Sequence, residues 1–251
     1  MPHDENLNSR LSRIETIWTL LADANAASMR AGNAKLALIE RYQGAAYRYL
    51  LGATRSADAA DEIFQEFAVR VLQGAFQRVD PEKGRFRDYL KTTLFHLISD
   101  YQNKQRRNPK QLDTAVIQPE AAPPDEAESD RRFLQSWCEE LLGRAWLNLS
   151  EAEKQGGQPF YSVLKFRADH PDASSTEMAE QINALLKPES PYSDTTLRKV
   201  LQRARARFAD VLLEEVEHSL SEPSFDELEQ ELIDLDLLAY CRSALARRRE
   251  K

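Results

Sequence analysis

Apolar residues recur along this chain at helical spacing, and nowhere do they alternate with period two for long enough to suggest a sheet. Ala59, Ile63, Phe67 and Val71 follow one another at i, i+4 spacing, and Phe86, Leu90, Leu94, Leu97 and Tyr101 form a second stripe. Phe133, Trp137, Leu141 and Ala145 run down one face of a later segment, with Leu134, Cys138, Leu142 and Leu149 alongside. Ser174-Ser175-Thr176-Glu177 offers a Ser or Thr cap with Glu in the first turn, ahead of Met178, Ala179, Ile182, Leu185 and Leu186 on one face. A polar turn with two prolines, 187–193, leads to a longer helix from Thr195 to about Glu215, capped by Ser193 or Asp194. On it Leu197, Val200, Leu201, Ala204, Phe208 and Val211 fall within about a third of the circumference at ~100° per residue. Pro223 to Ala246 is a further amphipathic helix candidate, carrying Phe225, Leu228, Leu232, Leu235 and Leu238. The expected fold class is all-α.

Between the stripes, 111–130 (QLDTAVIQPEAAPPDEAESD) combines three prolines with several acids and no sustained stripe, and reads as an extended, flexible linker. It divides the chain into two small helical domains, 1–110 and 131–218, with a C-terminal helical extension over 219–251. The overall charge is −7, but it is unevenly spread. Lys83–Arg107 holds seven basic and two acidic residues, and Asp194–Phe208 five basic and one acidic. Glu214–Asp236 holds ten acidic residues and neither Lys nor Arg. Two basic stretches in an acidic chain are local footprints for an anionic partner, or else two solvated helix faces.

Other classes are excluded or disfavoured by what the chain lacks. Eight glycines in 251 residues argue against folds built on Gly-rich phosphate loops. No apolar run approaches the ~20 residues of a membrane span, so no membrane association is expected. Met1–Arg13 is polar, without an apolar signal core, so a cytoplasmic protein is expected. Cys138 and Cys241 stand too far apart in sequence for a metal knuckle or a disulfide framework. His3, His96, His170 and His218 show no ligand spacing, and there is no nucleophile elbow or phosphate-binding Gly-Lys motif. The expectation is a protein with no catalytic residues, no metal and no cofactor.

The pair of helices around 187–193 carries the sharpest pattern. Thr195, Arg198, Lys199, Gln202, Arg203 and Arg205 lie opposite the apolar side of the second helix. A short helix, a turn and a longer helix with a basic outer face form a helix-turn-helix arrangement, whose second helix enters the major groove. Arg bonds guanine bidentately, Gln reads adenine, and Thr or Lys holds a phosphate or base edge. An ordinary helical hairpin with a basic rim would show the same pattern.

Taken together, the motifs resemble an extracytoplasmic-function (ECF) sigma factor of bacterial RNA polymerase, in a variant with a C-terminal extension, over most of Thr16–Ser219. Residues 60–72 (ADEIFQEFAVRVL) look like the family's acidic "EDLxQExFxRL" helix. Residues 84–90 (GRFRDYL), continuing to Phe95-His-Leu-Ile-Ser-Asp-Tyr101 and basic 104–107, look like its promoter-melting stretch "FRxWLxxIxxNxxxDxxR". Residues 195–205 (TTLRKVLQRAR) are similar to the "GTVxSRLxRAR" recognition helix. The linker falls where the family places its own.

The resemblance implies a factor that recruits core RNA polymerase to promoters, recognises −35 and −10 elements and aids melting. Asp61, Glu62, Gln65 and Glu66 would dock on a coiled coil of the largest polymerase subunit, with the polymerase flap as a further contact. Arg85, Arg87, Tyr89, Lys91, Thr92, Phe95, His96, Lys104, Arg106 and Arg107 would meet the opened −10 strand, where aromatic faces stack bases and cations track the backbone. His96 stands where the family often has Asn, implying a different base preference. The loop Phe76–Gly84 would hold an everted base. Thr195, Thr196, Arg198, Lys199, Gln202 and Arg203 would hold the −35 duplex. The long turn departs from the family pattern and could tilt the recognition helix. The extension either packs on the second domain or covers a basic DNA face with its acids. The sequence leaves open whether an anti-sigma protein, a kinase or that tail controls activity; the free factor is expected to be a monomer. The alternative function is a helix-turn-helix regulator that binds duplex DNA without engaging polymerase.

Overall fold

The computed structural model describes residues 29–74, 76, 85–107, 126–220 and 223–249, and among these all regular structure is helical. The helices are α1 (Met29–Thr54), α2 (Ala57–Leu72), α3 (Phe86–Arg107), α4 (Glu126–Lys154), α5 (Phe160–Asp169), α6 (Ser175–Leu186), α7 (Asp194–His218), α8 (Phe225–Asp234) and α9 (Leu238–Arg249). They divide into two compact units, one within Met1–Glu140 with Glu217–Pro223, the other within Leu141–Val216 with Ser224–Lys251. Among the described residues no helix is long and apolar enough to cross a membrane.

In the first unit the expected stripes are buried: Ala59, Ile63, Phe67 and Val71 of α2 and Phe86, Leu90, Leu94 and Leu97 of α3. Ser56 starts α2 by accepting a hydrogen bond from the Ala59 N–H at 3.3 Å, which satisfies one of the four orphan donors of a helix start. Helix α1 supplies the rest of the core with Leu38, Tyr42, Ala45, Ala46, Tyr49 and Leu50. The first half of α4 closes it. The Trp137 ring stacks on Tyr42 with centroids 5.0 Å apart, and Phe133 meets Tyr49 edge-on at 5.4 Å. The buried Tyr49 hydroxyl shares a 2.6 Å hydrogen bond with Ser129, so the interior polar group is satisfied. Arg48 ties α1 to Glu140 at 2.8 Å and to Glu139 at 3.4 Å.

This packing moves the expected boundary. The linker expectation over 111–125 lies outside the described residues, but 126–130 is helical, and Asp130 pairs with Lys91 at 3.0 Å. Residues 131–140, assigned from sequence to the second domain, belong with the first compact unit. The cause is that Phe133 and Trp137 find aromatic partners on α1.

In the second unit Val163 of α5, Met178, Ala179 and Ile182 of α6, and Leu197, Val200 and Leu201 of α7 form one apolar cluster. Trp146 of α4 packs between Phe208 at 4.9 Å and Tyr161 at 5.9 Å. The continuous helix expected over 223–246 is two helices. The chain breaks at Leu235–Leu237, where Asp236 takes a left-handed conformation with φ 56°, and Leu237 donates its N–H to the Leu232 carbonyl. Leu228, Leu232, Leu235, Leu237, Cys241, Ala244 and Leu245 are all buried. The extension from Ser224 onward is therefore part of the compact unit that holds α7.

Candidate functional site

In the first unit an acidic face and a basic face lie side by side. Asp61, Glu62, Gln65 and Glu66 are all exposed on α2, because the buried positions 59, 60, 63 and 67 turn the remaining arc outward. Their charges are already engaged. Glu62 accepts a hydrogen bond from the Lys104 ammonium of α3 at 2.9 Å. Glu66 accepts from Arg70 at 2.8 Å, and Arg70 also reaches Asp100 of α3 at 3.3 Å. Asp61 accepts a hydrogen bond from the Tyr47 hydroxyl, and that bond is the main reason the phenol is held above its ordinary pKa. The hydrogen bond to Glu62 raises the Lys104 ammonium, and that to Glu66 raises the Arg70 guanidinium. Between α2 and α3 runs a groove of about 430 Å³ with Ile63 and Leu97 at its apolar base and Gln65, Val69 and Tyr101 along its sides.

The residues expected to meet an opened strand are spread unevenly over α3. His96, Lys104, Arg106 and Arg107 are exposed, as is Thr92, whose hydroxyl donates back to the Asp88 carbonyl at 2.8 Å. Arg85, Tyr89, Lys91 and Phe95 are half-buried, with Lys91 held by Asp130. Phe95 lies outside the apolar stripe, as expected, and its ring faces His96 at 6.2 Å. Arg87 departs from expectation: it is only 7% exposed. Positions 87, 94 and 98 stand at i, i+7 and i+11 on one line of the helix, and Leu94 and Ile98 are buried too, so α3 turns Arg87 inward. Of the expected base-holding loop, Phe76 is buried against Phe86 with centroids 5.6 Å apart; the rest lies outside the described residues apart from its flank at Arg85.

In the second unit Thr195, Thr196, Arg198, Lys199, Gln202 and Arg203 are all exposed on the first half of α7. Ser174 and Glu177 form the expected capping box at the start of α6, with backbone-to-side-chain bonds of 2.7 and 3.1 Å. The backbone hydrogen bond from Ser174 holds the Glu177 carboxyl below its ordinary value. The turn 187–193 is locked at both ends. Lys187 leaves α6 in a left-handed conformation with φ 46°. The Asn183 amide then clamps Tyr192, donating to its carbonyl at 2.9 Å and accepting from its N–H at 2.8 Å. Ser193 caps α7 by accepting from the Thr196 N–H at 3.1 Å. Arg198 is held by Ser175 of α6 at 2.9 Å and by Asp194 at 3.3 Å. Lys199, Gln202 and Arg203 make no hydrogen bond or ion pair among the described residues. Leu185, expected on the buried face of α6, is 68% exposed.

The residues that shape these faces without having been singled out from sequence are Tyr47, Arg70, Asp100 and Asn183. Arg70 had a readable signal, its i, i+4 spacing from Glu66. The other three act across helices or turns and had none. No cluster of three or more His, Cys, Asp or Glu side chains able to hold a metal occurs among the described residues. Neither Cys138 nor Cys241 is in a disulfide.

Comparison with curated proteins gives no match, and comparison with solved structures gives none. Residues 38–108 match the family model of Sigma-70 region 2. The matched stretch begins inside α1 and ends one residue after α3, so it takes in the acidic face, the basic face and the groove between them. That region is the part of a sigma factor that contacts core RNA polymerase and promoter DNA. The match supports a sigma-70 family factor in general, and it falls on the three-helix segment of the first unit.

Proposed function

We propose that the chain is a sigma factor of the ECF type that brings core RNA polymerase to specific promoters, reads their −35 and −10 elements and aids melting. The observation that carries this reading is the exposed row Asp61, Glu62, Gln65 and Glu66 inside a Sigma-70 region 2 match, beside the cation-bearing α3. The acidic row takes cations of the polymerase; charged docking faces set orientation and association rate as much as affinity. Tyr89, Phe95 and His96 with Arg85, Lys91, Thr92, Lys104, Arg106 and Arg107 receive the opened −10 strand, whose bases gain ~1–3 kcal/mol each on stacking. Arg87 is left out of this set because of its burial. Helices α6 and α7 act as a helix-turn-helix, with Lys199, Gln202 and Arg203 reading base edges and Thr195, Thr196 and Arg198 placing the helix on the backbone.

The factor supplies no chemistry of its own; nucleotide transfer belongs to the polymerase. The test is reconstituted transcription from a library of promoter sequences, with core polymerase alone as the control. A single enriched class of start sites with conserved −35 and −10 spacing supports the reading. Initiation no different from core polymerase alone overturns it.

A further inference from the structure

The charge along one face of α7 changes sign where the C-terminal helix meets it. Lys199, Arg203, Arg207, Asp210 and Glu214 follow one another at i, i+4, i+8, i+11 and i+15. At ~100° per residue they fall within about 80° of arc, so three basic positions give way to two acidic ones along a single line of the helix. Arg207 leans toward Glu214 at 3.9 Å. Asp210 is taken by Arg247 of α9, in a pair that stays open to solvent, with side-chain exposures of 39% and 45%.

Asp210 lies about 10 Å beyond Arg203 along the helix axis, at ~1.5 Å per residue. A duplex whose major groove holds the start of α7 carries its phosphates toward the following turns. An uncovered carboxylate there would repel them. Arg247 covers it, and a guanidinium has five N–H donors, so a bond to Asp210 leaves others free. The end of α9 is also fixed, because Arg249 stands over the Phe225 ring at 5.2 Å and anchors the helix to α8.

We propose that Arg247 is a phosphate-contacting residue, and that the C-terminal extension lengthens the duplex-binding face of the second unit past Arg207. This rests on the reading of α7 as the duplex-reading helix. It gives the extension a role opposite to masking: its last helix adds a cation to the basic face.

A plain structural staple between α9 and α7 would give the same ion pair, and the two roles separate by sign. The full chain is titrated with a labelled DNA duplex of the sequence it enriches from a random pool, over a range of salt, for wild type, Arg247→Gln, Arg247→Lys, Asp210→Asn and Arg203→Ala, with the Tm of each. The proposal expects Arg247→Gln to bind several-fold more weakly and to lose about one phosphate contact, ~0.9 in the slope of log K against log salt. Asp210→Asn, which frees the arginine and removes the acid, should bind as tightly as wild type or more tightly. Arg247→Lys should keep the slope. Weakening by both Arg247→Gln and Asp210→Asn to the same extent, with equal loss of Tm and no change of slope, overturns the proposal in favour of a staple. No effect of Arg247→Gln while Arg203→Ala weakens binding overturns the proposal and leaves α7 as the reader. No effect of either brings down both.

Discussion

The two candidate faces differ in the state of their charges. On the first unit the acidic row is engaged within the molecule: Glu62 is paired with Lys104, Glu66 with Arg70, and Asp61 accepts a hydrogen bond from the neutral Tyr47 hydroxyl. On α7 the side chains at the centre of the basic face, Lys199, Gln202 and Arg203, have no such partner among the described residues, while Arg198 and Arg207 at its ends are held. A partner at the first face must exchange existing ion pairs for its own. A partner at the second meets cations that are already free. Exposed ion pairs are weak, so the exchange is cheap, but it links two surfaces. When a cation from outside takes Glu62, Lys104 of the basic face is released. Under the proposed function, polymerase docking and strand binding would then be coupled through one ion pair, whereas duplex reading by α7 would stand by itself.

The comparison can be broken most forcefully at the core beneath the first face. Trp137→Ala removes the ring stacked on Tyr42 and should cost about 3–5 kcal/mol, read as a lower urea midpoint for the first unit. Next, Arg203→Ala should weaken binding to a matched duplex by ~1–3 kcal/mol and relax the base preference at one position, measured by competition against single-base variants. A uniform loss across all sequences would make Arg203 a phosphate contact instead. Asn183→Ala leaves the two backbone groups of Tyr192 without their clamp and should cost about 1–2 kcal/mol. Its further signature is a loss of discrimination between matched and mismatched duplexes, since the start of α7 is no longer held.

Smaller effects sharpen the contrast. Lys104→Gln should leave Tm nearly unchanged, because the pair with Glu62 is exposed, yet weaken binding of a single-stranded oligonucleotide. The thiols give the smallest test. Burial raises the Cys241 thiol to about 11, so its neutral form is favoured in the folded state. Its contribution to stability is whole below the ordinary thiol range of ~8.5 and declines as pH rises toward that raised value. In native protein iodoacetamide should label the half-buried Cys138 first, and Cys241 only after unfolding, which peptide mass spectrometry would read.

Much of this was legible in the sequence. Most of each stripe of α2, α3, α6 and α7 is buried as its period predicts, and the box at Ser174 and the cap at Ser193 sit where Ser and Glu placed them. What escaped depends on partners rather than on period. One apolar stripe runs unbroken through Phe133, Trp137, Leu141 and Ala145, and nothing in it says that its first two residues pack with α1. The break at Asp236 has neither glycine nor proline to mark it. Leu185 lies at the right angle on α6, but a helical wheel does not say how far along the axis the opposing surface extends. The charge of Arg87 groups it with the exposed cations, although its line through Leu94 and Ile98 marks it as inward-facing. The extension, whose sequence allows it either to pack on the second domain or to cover a basic face, is joined to α7 by the pair of Arg247 with Asp210, a contact made 37 residues apart.

The most direct measurement is binding of the purified full chain to bacterial core RNA polymerase, comparing wild type with the double variant Asp61→Lys/Glu62→Lys. Tight binding by wild type, weakened at least about 30-fold in the variant at unchanged Tm, is the predicted result, equivalent to ~2 kcal/mol or more from two reversed docking charges. Wild-type binding untouched by the double reversal would contradict the assignment of the acidic row of α2 as the polymerase-docking face, and absence of binding by wild type would contradict the sigma-factor reading itself.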